Sequence, residues 1–350
     1  MTARRENARR LSAVLAGLDD AGVLTLINAA ETVGMGIGGT TSTVLVDGTT
    51  VFLKQLPLTS AEEQDPTSTA GRAQLPFACH YGIGSPSHGA GRELAAHQLA
   101  SDWVQTGKAD FFPLLLGWRV VDRPCALDLH EFDGDGPPRQ WGSHWPQVQN
   151  QVTAMEDATS SLVLFLEYVP ETLGARVRRS LADGLGEEVF VDAVHQILQA
   201  TDWMRTEGFQ HFDVHPGNIL VREGTLLFTD FGLALHRGWK LTAVEAEAMP
   251  AHEDYDRETA LMHLFHWVLY ELGFTTGPQR LALLRAAAAD PGTPALASVR
   301  AALGDGADLI ACHAAAAVYS TEMFATLMRD ASTTQYTGTQ GRQRSVSSSW

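Results

Sequence analysis

The chain has 350 residues, 45% of them hydrophobic and 19% charged, the balance of a soluble globular protein with room for one large domain or two smaller ones. Its 41 acidic residues outnumber 25 basic ones, for a formal charge of -16. That surplus repels phosphate backbones and anionic lipid, which excludes nucleic acid and membrane as expected partners and leaves neutral or cationic substrates. Cys79, Cys125 and Cys312 are too few and too scattered for a disulfide framework or a thiolate metal site. With no signal-peptide pattern at the N-terminus and no apolar run of about 18 residues, the expected location is the cytoplasm.

In chain order, Leu11, Val14, Leu15 and Leu18 form the stripe of an amphipathic helix. Thr41 to Val46 and Thr50 to Gln55 are β-branched, apolar runs joined by Asp47-Gly48, a two-residue hairpin signal. Residues 57–91, rich in Pro, Gly, Ser and Thr, carry no assignable motif, and Arg92 to Trp103 then reads as helix. Gly117 to Val121 is strand-like. Residues 122–160, with the acidic group Asp128, Glu131, Asp133 and Asp135, read as a second insertion. Ser161 to Tyr168 is an apolar strand and Glu187 to Thr206 a helix stopped by Gly208. Two short apolar runs follow, and then a helix that Asp254 or Asp256 can cap, with Leu261, Leu264, Phe265, Val268 and Leu269 on one face. The division expected is 1–168, 169–330 and a Ser/Thr/Gln-rich disordered tail, 331–350: an α+β chain, strands first and helices after.

Gly34-Met-Gly36-Ile-Gly-Gly39 can let a backbone approach phosphates closely, though glycines in this spacing also serve as a plain turn. Lys54 ends the second hairpin strand within reach of such phosphates. Glu93, on the following helix, can hold Lys54 in place or stand as a helix-surface glutamate, with Glu62 or Glu63 as replacement partners. The most specific segment is His211-Phe-Asp213-Val-His215-Pro-Gly-Asn218, followed by Thr229-Asp230-Phe-Gly232. Phosphoryl transfer needs a carboxylate to take the attacking hydroxyl's proton and oxygen ligands to hold Mg²⁺ on the nucleotide. Asp213, Asn218 and Asp230 supply that set. His263 and His266 stand three apart on a helix, but no carboxylate or cysteine completes a metal site beside them.

Glycine loop, strand lysine, helix glutamate, catalytic loop and Asp-Phe-Gly occur here in the order of the protein-kinase-like superfamily, which the chain resembles over roughly residues 30–275. The resemblance implies a bilobal fold: an N-lobe antiparallel sheet with a helix, and a mainly helical C-lobe. It implies ATP and Mg²⁺ as cofactors, Gly34, Gly36 and Gly39 over the phosphates, and Lys54 on the α/β-phosphates paired with Glu93. It further implies Asp213 as base, Asn218 and Asp230 as metal ligands, and Glu167 and Val169 in the adenine-binding hinge.

The catalytic loop departs from that of regulated protein kinases. Phe212 replaces their arginine and His215 their lysine, which the resemblance places near the transferred phosphate. The Asp-x-His-x-Gly-Asn form is similar to aminoglycoside phosphotransferases and related small-molecule kinases, whereas the complete glycine loop and the Glu-Tyr-Val-Pro-Glu hinge are similar to bacterial Ser/Thr kinases. Phe52 shares a strand face with Lys54 where the family usually has a small residue. The expected reaction is γ-phosphoryl transfer to a hydroxyl of a small molecule, with a peptide or protein Ser/Thr as the alternative acceptor and a nucleotide-binding pseudokinase scaffold as a third reading. The oligomeric state is left open.

Overall fold

The computed structural model describes residues 3–338. They form two compact units, one made of the chain to Val169 with Asp230–Thr242, the other of Pro170–Thr229 and the chain from Ala243 on. The first carries an antiparallel sheet and the second is mainly helical, the α+β, protein-kinase-like class expected from the sequence.

In the first unit, helices α1 (Ala3–Ala16) and α2 (Asp20–Ala29) precede strands β1 (Glu31–Gly36), β2 (Gly39–Val46) and β3 (Thr49–Leu58). The short helix α3 (Ser60–Glu63), helix α4 (Ala90–Thr106), strand β4 (Leu115–Val121), helices α5 (Gly136–Trp141) and α6 (Trp145–Glu156), and strand β5 (Ser160–Glu167) follow. The sheet order is β1-β2-β3-β5-β4, antiparallel at every pairing. Side chains alternate across a strand, so Phe52, Lys54, Leu56 and Leu58 share one face of β3. Leu56 and Leu58 pack there with Leu162, Leu164 and Leu166 of β5 and Leu94 of α4, and Phe52 packs against the same cluster. That packing lays α4 over the face from which Lys54 projects.

The insertion 122–160 holds more regular structure than its composition suggests. Pro146 opens α6 within its first turn, where a missing N–H costs nothing. Trp141 and Val148 are fully buried.

In the second unit, helices α7 (Leu173–Ala182) and α8 (Gly186–Glu207) precede the hairpin Ile219–Arg222/Thr225–Phe228. Its turn is Glu223-Gly224, both at positive φ. Helices α9 (Ala243–Ala248), α10 (Tyr255–Glu271), α11 (Gly277–Ala289), α12 (Ala297–Leu303) and α13 (Gly306–Leu327) complete it. Of the tail expected over 331–350, Tyr336 is buried and its hydroxyl donates to Glu258 at 2.8 Å. Residues 339–350 lie outside the described residues. No single helix among the described residues is long and apolar enough to cross a membrane.

Candidate active site

Lys54 is the centre of the first unit's charged cluster. Its ammonium lies 2.6 Å from Glu93 Oε1 and donates to Asp230 Oδ1 at 2.8 Å. Glu93 is almost completely buried and Lys54 nearly so. Burial alone would lower the lysine's pKa; the negative charges of Asp230 and Glu93, with their hydrogen bonds, outweigh it and hold the ammonium well above its ordinary value. One turn on from Glu93, the His97 ring meets the Phe231 ring edge-on at 4.7 Å, and Phe231 also meets Phe112 at 6.0 Å. An aromatic contact thus ties the Asp-Phe-Gly segment to the helix that carries Glu93.

The glycine segment is the β1–β2 hairpin, Gly36 facing Gly39 across its turn. At Gly39, with φ +136°, an added Cβ would fall 2.0 Å from the Gln55 carbonyl oxygen, so glycine there lets β2 approach β3. Around Gly36 an added Cβ would meet nothing within 4 Å, which leaves that backbone open to a ligand. The second insertion reaches this turn. The Asp128 amide donates to the Gly36 carbonyl at 3.1 Å, and the Thr40 hydroxyl to the Ala126 carbonyl at 2.7 Å.

Glu167 ends β5, and Val169 follows it, buried. The Glu167 amide donates to Leu114 O, while its carboxylate accepts the Leu114 amide and the Arg4 guanidinium, whose Nη2 lies 2.7 Å away. Arg4 also donates to the carbonyls of Asp110 and Phe112. Helix α1 therefore clamps the predicted hinge. Nothing in the sequence pattern of α1 singles Arg4 out from its arginine neighbours.

In the second unit, Asn218 Nδ2 donates to Asp213 Oδ2 at 2.9 Å and to the Asp213 carbonyl at 3.1 Å. Asn218 O accepts the Thr229 amide, which joins the catalytic loop to the end of the hairpin. His211 Nδ1 accepts the Asp213 amide and its Nε2 bonds the Thr229 carbonyl, so the proton must sit on Nε2. His215 turns back on its own loop, Nδ1 accepting the Gly217 amide at 3.1 Å, with its ring 6.0 Å from that of His263. The described side-chain bonds of His215 are thus to the loop itself.

Two non-glycine residues here hold φ in the left-handed region, Phe212 at +65° and Asp230 at +66°. Such strain persists only where the surroundings impose it. For Phe212 the cause is Asp256, whose carboxylate accepts the amides of His211 and Phe212 at 2.7 Å each. The Phe212 ring packs 5.1 Å from Tyr255. Burial pushes the Asp256 carboxyl up to about 6, against the pull of those two amides. The sequence offered Asp254 or Asp256 as a helix cap, and Asp254 holds the cap position. Asp254 makes no side-chain cap bond there, and Asp256 supports the loop. Three carboxylates of this region, Glu245, Asp256 and Glu258, are buried. His266, one of the helix histidines, bonds Thr321 and Arg280.

Each of the two predicted metal ligands offers an oxygen suited to a hard cation. Asn218 spends its amide nitrogen on Asp213, leaving its carbonyl oxygen as the atom it can offer a metal, and Asp230 offers a carboxylate, both suited to Mg²⁺.

Residues 143–245 match the family model of the protein kinase domain, a span that includes β5, the catalytic loop and Asp-Phe-Gly. Lys54 and Glu93 lie before it. The chain is 38% identical over 71 residues to a probable serine/threonine-protein kinase of Schizosaccharomyces pombe, covering 19% of this chain and 9% of that protein. It is 34% identical over 83 residues to cyclin-dependent kinase 4 of Ovis aries, covering 23% and 27%. To the Wee1-like protein kinase of Arabidopsis thaliana it is 31% identical over 119 residues, covering 33% and 22%. The matches span 9% to 27% of the length of these relatives and support a protein-kinase-like chain.

Proposed function

We propose that the chain is an ATP-dependent phosphotransferase that passes the γ-phosphoryl group to a serine or threonine hydroxyl of a peptide or protein. The observation that carries this reading is Lys54, a buried ammonium held between Glu93 and Asp230. A lysine so placed is kept charged and oriented, which is what anchoring a nucleotide's phosphates requires. In this reading the Asp213 carboxylate, fixed by the Asn218 amide, takes the proton of the attacking hydroxyl as its oxygen bonds to the γ-phosphorus and ADP leaves. Asn218 and Asp230 would hold Mg²⁺, which neutralises charge on the phosphates. The serine/threonine acceptor follows the Schizosaccharomyces pombe relative, a probable serine/threonine-protein kinase, and the protein acceptor also the Wee1-like protein kinase. A small-molecule hydroxyl is the second reading, favoured by His215 in the Asp-x-His-x-Gly-Asn segment.

The test incubates the purified chain with ATP and Mg²⁺ against a panel of peptides and small hydroxyl compounds. ADP release and a mass gain of one phosphate are expected on a peptide. Asp213→Asn should lower the rate by about 10²–10⁴-fold while ATP still binds. Transfer that survives this substitution would remove Asp213 from its role. A gain confined to small molecules would select the second reading, and ATP binding with no transfer to any acceptor would leave a scaffold.

A further inference from the structure

Helix α4 begins badly on its own terms. Its cap residue, Gly89, has no side chain to accept the first-turn amides and sits at φ +111°. The first N–H groups of a helix have no intrahelical acceptor and need one from elsewhere. Here it comes from the insertion between β3 and α4, which carries no catalytic motif. Glu62 Oε1 accepts the Ala90 amide at 2.8 Å, while Oε2 accepts the Thr59 amide at 3.1 Å and the Thr59 hydroxyl at 2.7 Å. Glu62 is buried. A Cβ on residue 89 would fall 2.4 Å from Glu62 Oε1, so the glycine makes room for the carboxylate.

The next two residues of α4 are held by the same insertion. A Cβ on Gly91 would fall 2.4 Å from the Ser68 carbonyl oxygen, which shows how closely that segment lies. Arg92 Nε donates to the Thr69 carbonyl at 2.9 Å. Three consecutive residues, 90 to 92, are therefore fixed immediately before Glu93. Thr59 follows the last residue of β3, the strand that carries Lys54. One carboxylate thus joins the end of the lysine's strand to the start of the glutamate's helix.

We propose that Glu62 is a positioning residue: it caps α4 from outside the helix and sets Glu93 against Lys54, so that the insertion works as a brace for the ion pair. The inference rests on the phosphotransferase reading above. A negative charge at the N-terminus of this 17-residue helix also meets the positive end of its dipole.

The experiment compares Glu62→Ala and Glu62→Gln in the full chain. It measures hydrogen exchange of the amides at 90–94, the unfolding midpoint, and kcat and KM for ATP well below the lowest midpoint. Glu62→Ala should speed exchange in the first turn of α4 and lower kcat by about two- to thirtyfold, the range expected of a lost cap. KM for ATP should change less than kcat. Glu62→Gln keeps an oxygen for the Ala90 amide but turns an NH2 toward the Thr59 amide, so it should recover part of both effects. A lowered midpoint with unchanged kcat would make Glu62 structural only and overturn the inference, as would unchanged exchange at 90–94. Failure of the parent reading looks different: the unsubstituted chain transfers no phosphate, and the positioning role then falls with it even where exchange retains the cap.

Discussion

Removing Lys54 and removing Glu93 should not be equivalent, although each breaks the same ion pair. Lys54→Met leaves the Glu93 carboxylate 1% exposed, with His97 Nε2 3.8 Å away. A buried pair broken from that side typically costs about 3–5 kcal/mol, because the stranded charge keeps its desolvation penalty. Glu93→Gln strands nothing comparable. Lys54 keeps Asp230 Oδ1 at 2.8 Å, and the glutamine carbonyl can still accept from the ammonium, so the expected cost is about 1–2 kcal/mol. The double variant removes both charges and should be more stable than Lys54→Met alone. Unfolding in urea gives the three stabilities, and ADP release gives the rates, which should be non-additive because both residues serve one arrangement. If Glu93→Gln destabilised as much as Lys54→Met, the stranded-charge argument would fail, and if the losses in the cycle summed, the two side chains would not be acting as one unit.

Two further expectations concern supports of the site. The Asp256 carboxyl titrates at about 6 in the folded chain against 3.8 ordinarily, so between those values the folded state holds a proton that the unfolded state has released. Stability from this group therefore falls as pH rises through that window and is level above it; relative to Asp256→Asn, the native chain should lose about 2–3 kcal/mol of its advantage between pH 4 and pH 7, and a difference that is flat or grows with pH in denaturation experiments would refute this. Arg4→Ala frees Glu167 from its guanidinium and should lower stability by about 2–4 kcal/mol and raise KM for ATP more than it lowers kcat, an unchanged KM being the contrary result.

The elements that the sequence made legible are those whose own chemistry repeats along the chain. The β2–β3 hairpin could be read from β-branched runs around Asp47-Gly48, α10 from its apolar face, and β5 from an unbroken apolar run that proves buried along most of its length. Lys54, Glu93, Asp213, Asn218 and Asp230 stood out because they follow the order of the superfamily that the chain resembles; the structure sets Lys54 against Glu93 and Asp230, and Asn218 against Asp213. Strand β1 was not legible, since four of the six residues of Glu31–Gly36 are exposed and its apolar residues, Val33 and Met35, face solvent. The helices of the second insertion were hidden by Pro, Gly and Trp residues whose burial only the tertiary structure decides. Asp256 looked like a cap because a carboxylate beside a helix start usually is one; that it instead holds two amides of a strained loop depends on residues 44 and 45 positions away.

The same reasoning bears on why the insertion between β3 and α4 was silent. A motif is visible when the chemistry of a reaction restricts residue type, and this segment performs none. Its constraint is geometric: an acceptor is needed for the Ala90 amide, and any chain that delivers an oxygen there would serve. Glutamate does so here from a capping box in which Thr59 and Glu62 satisfy each other, a local signal of the kind that marks a helix start. The sequence therefore carries the cap of α3 openly and the cap of α4 covertly, in one side chain. Glu62, weighed from sequence as a substitute partner for Lys54, acts one step removed from it. The charges that Lys54 meets are Glu93 and Asp230, and Glu62 secures the helix turn on which Glu93 stands.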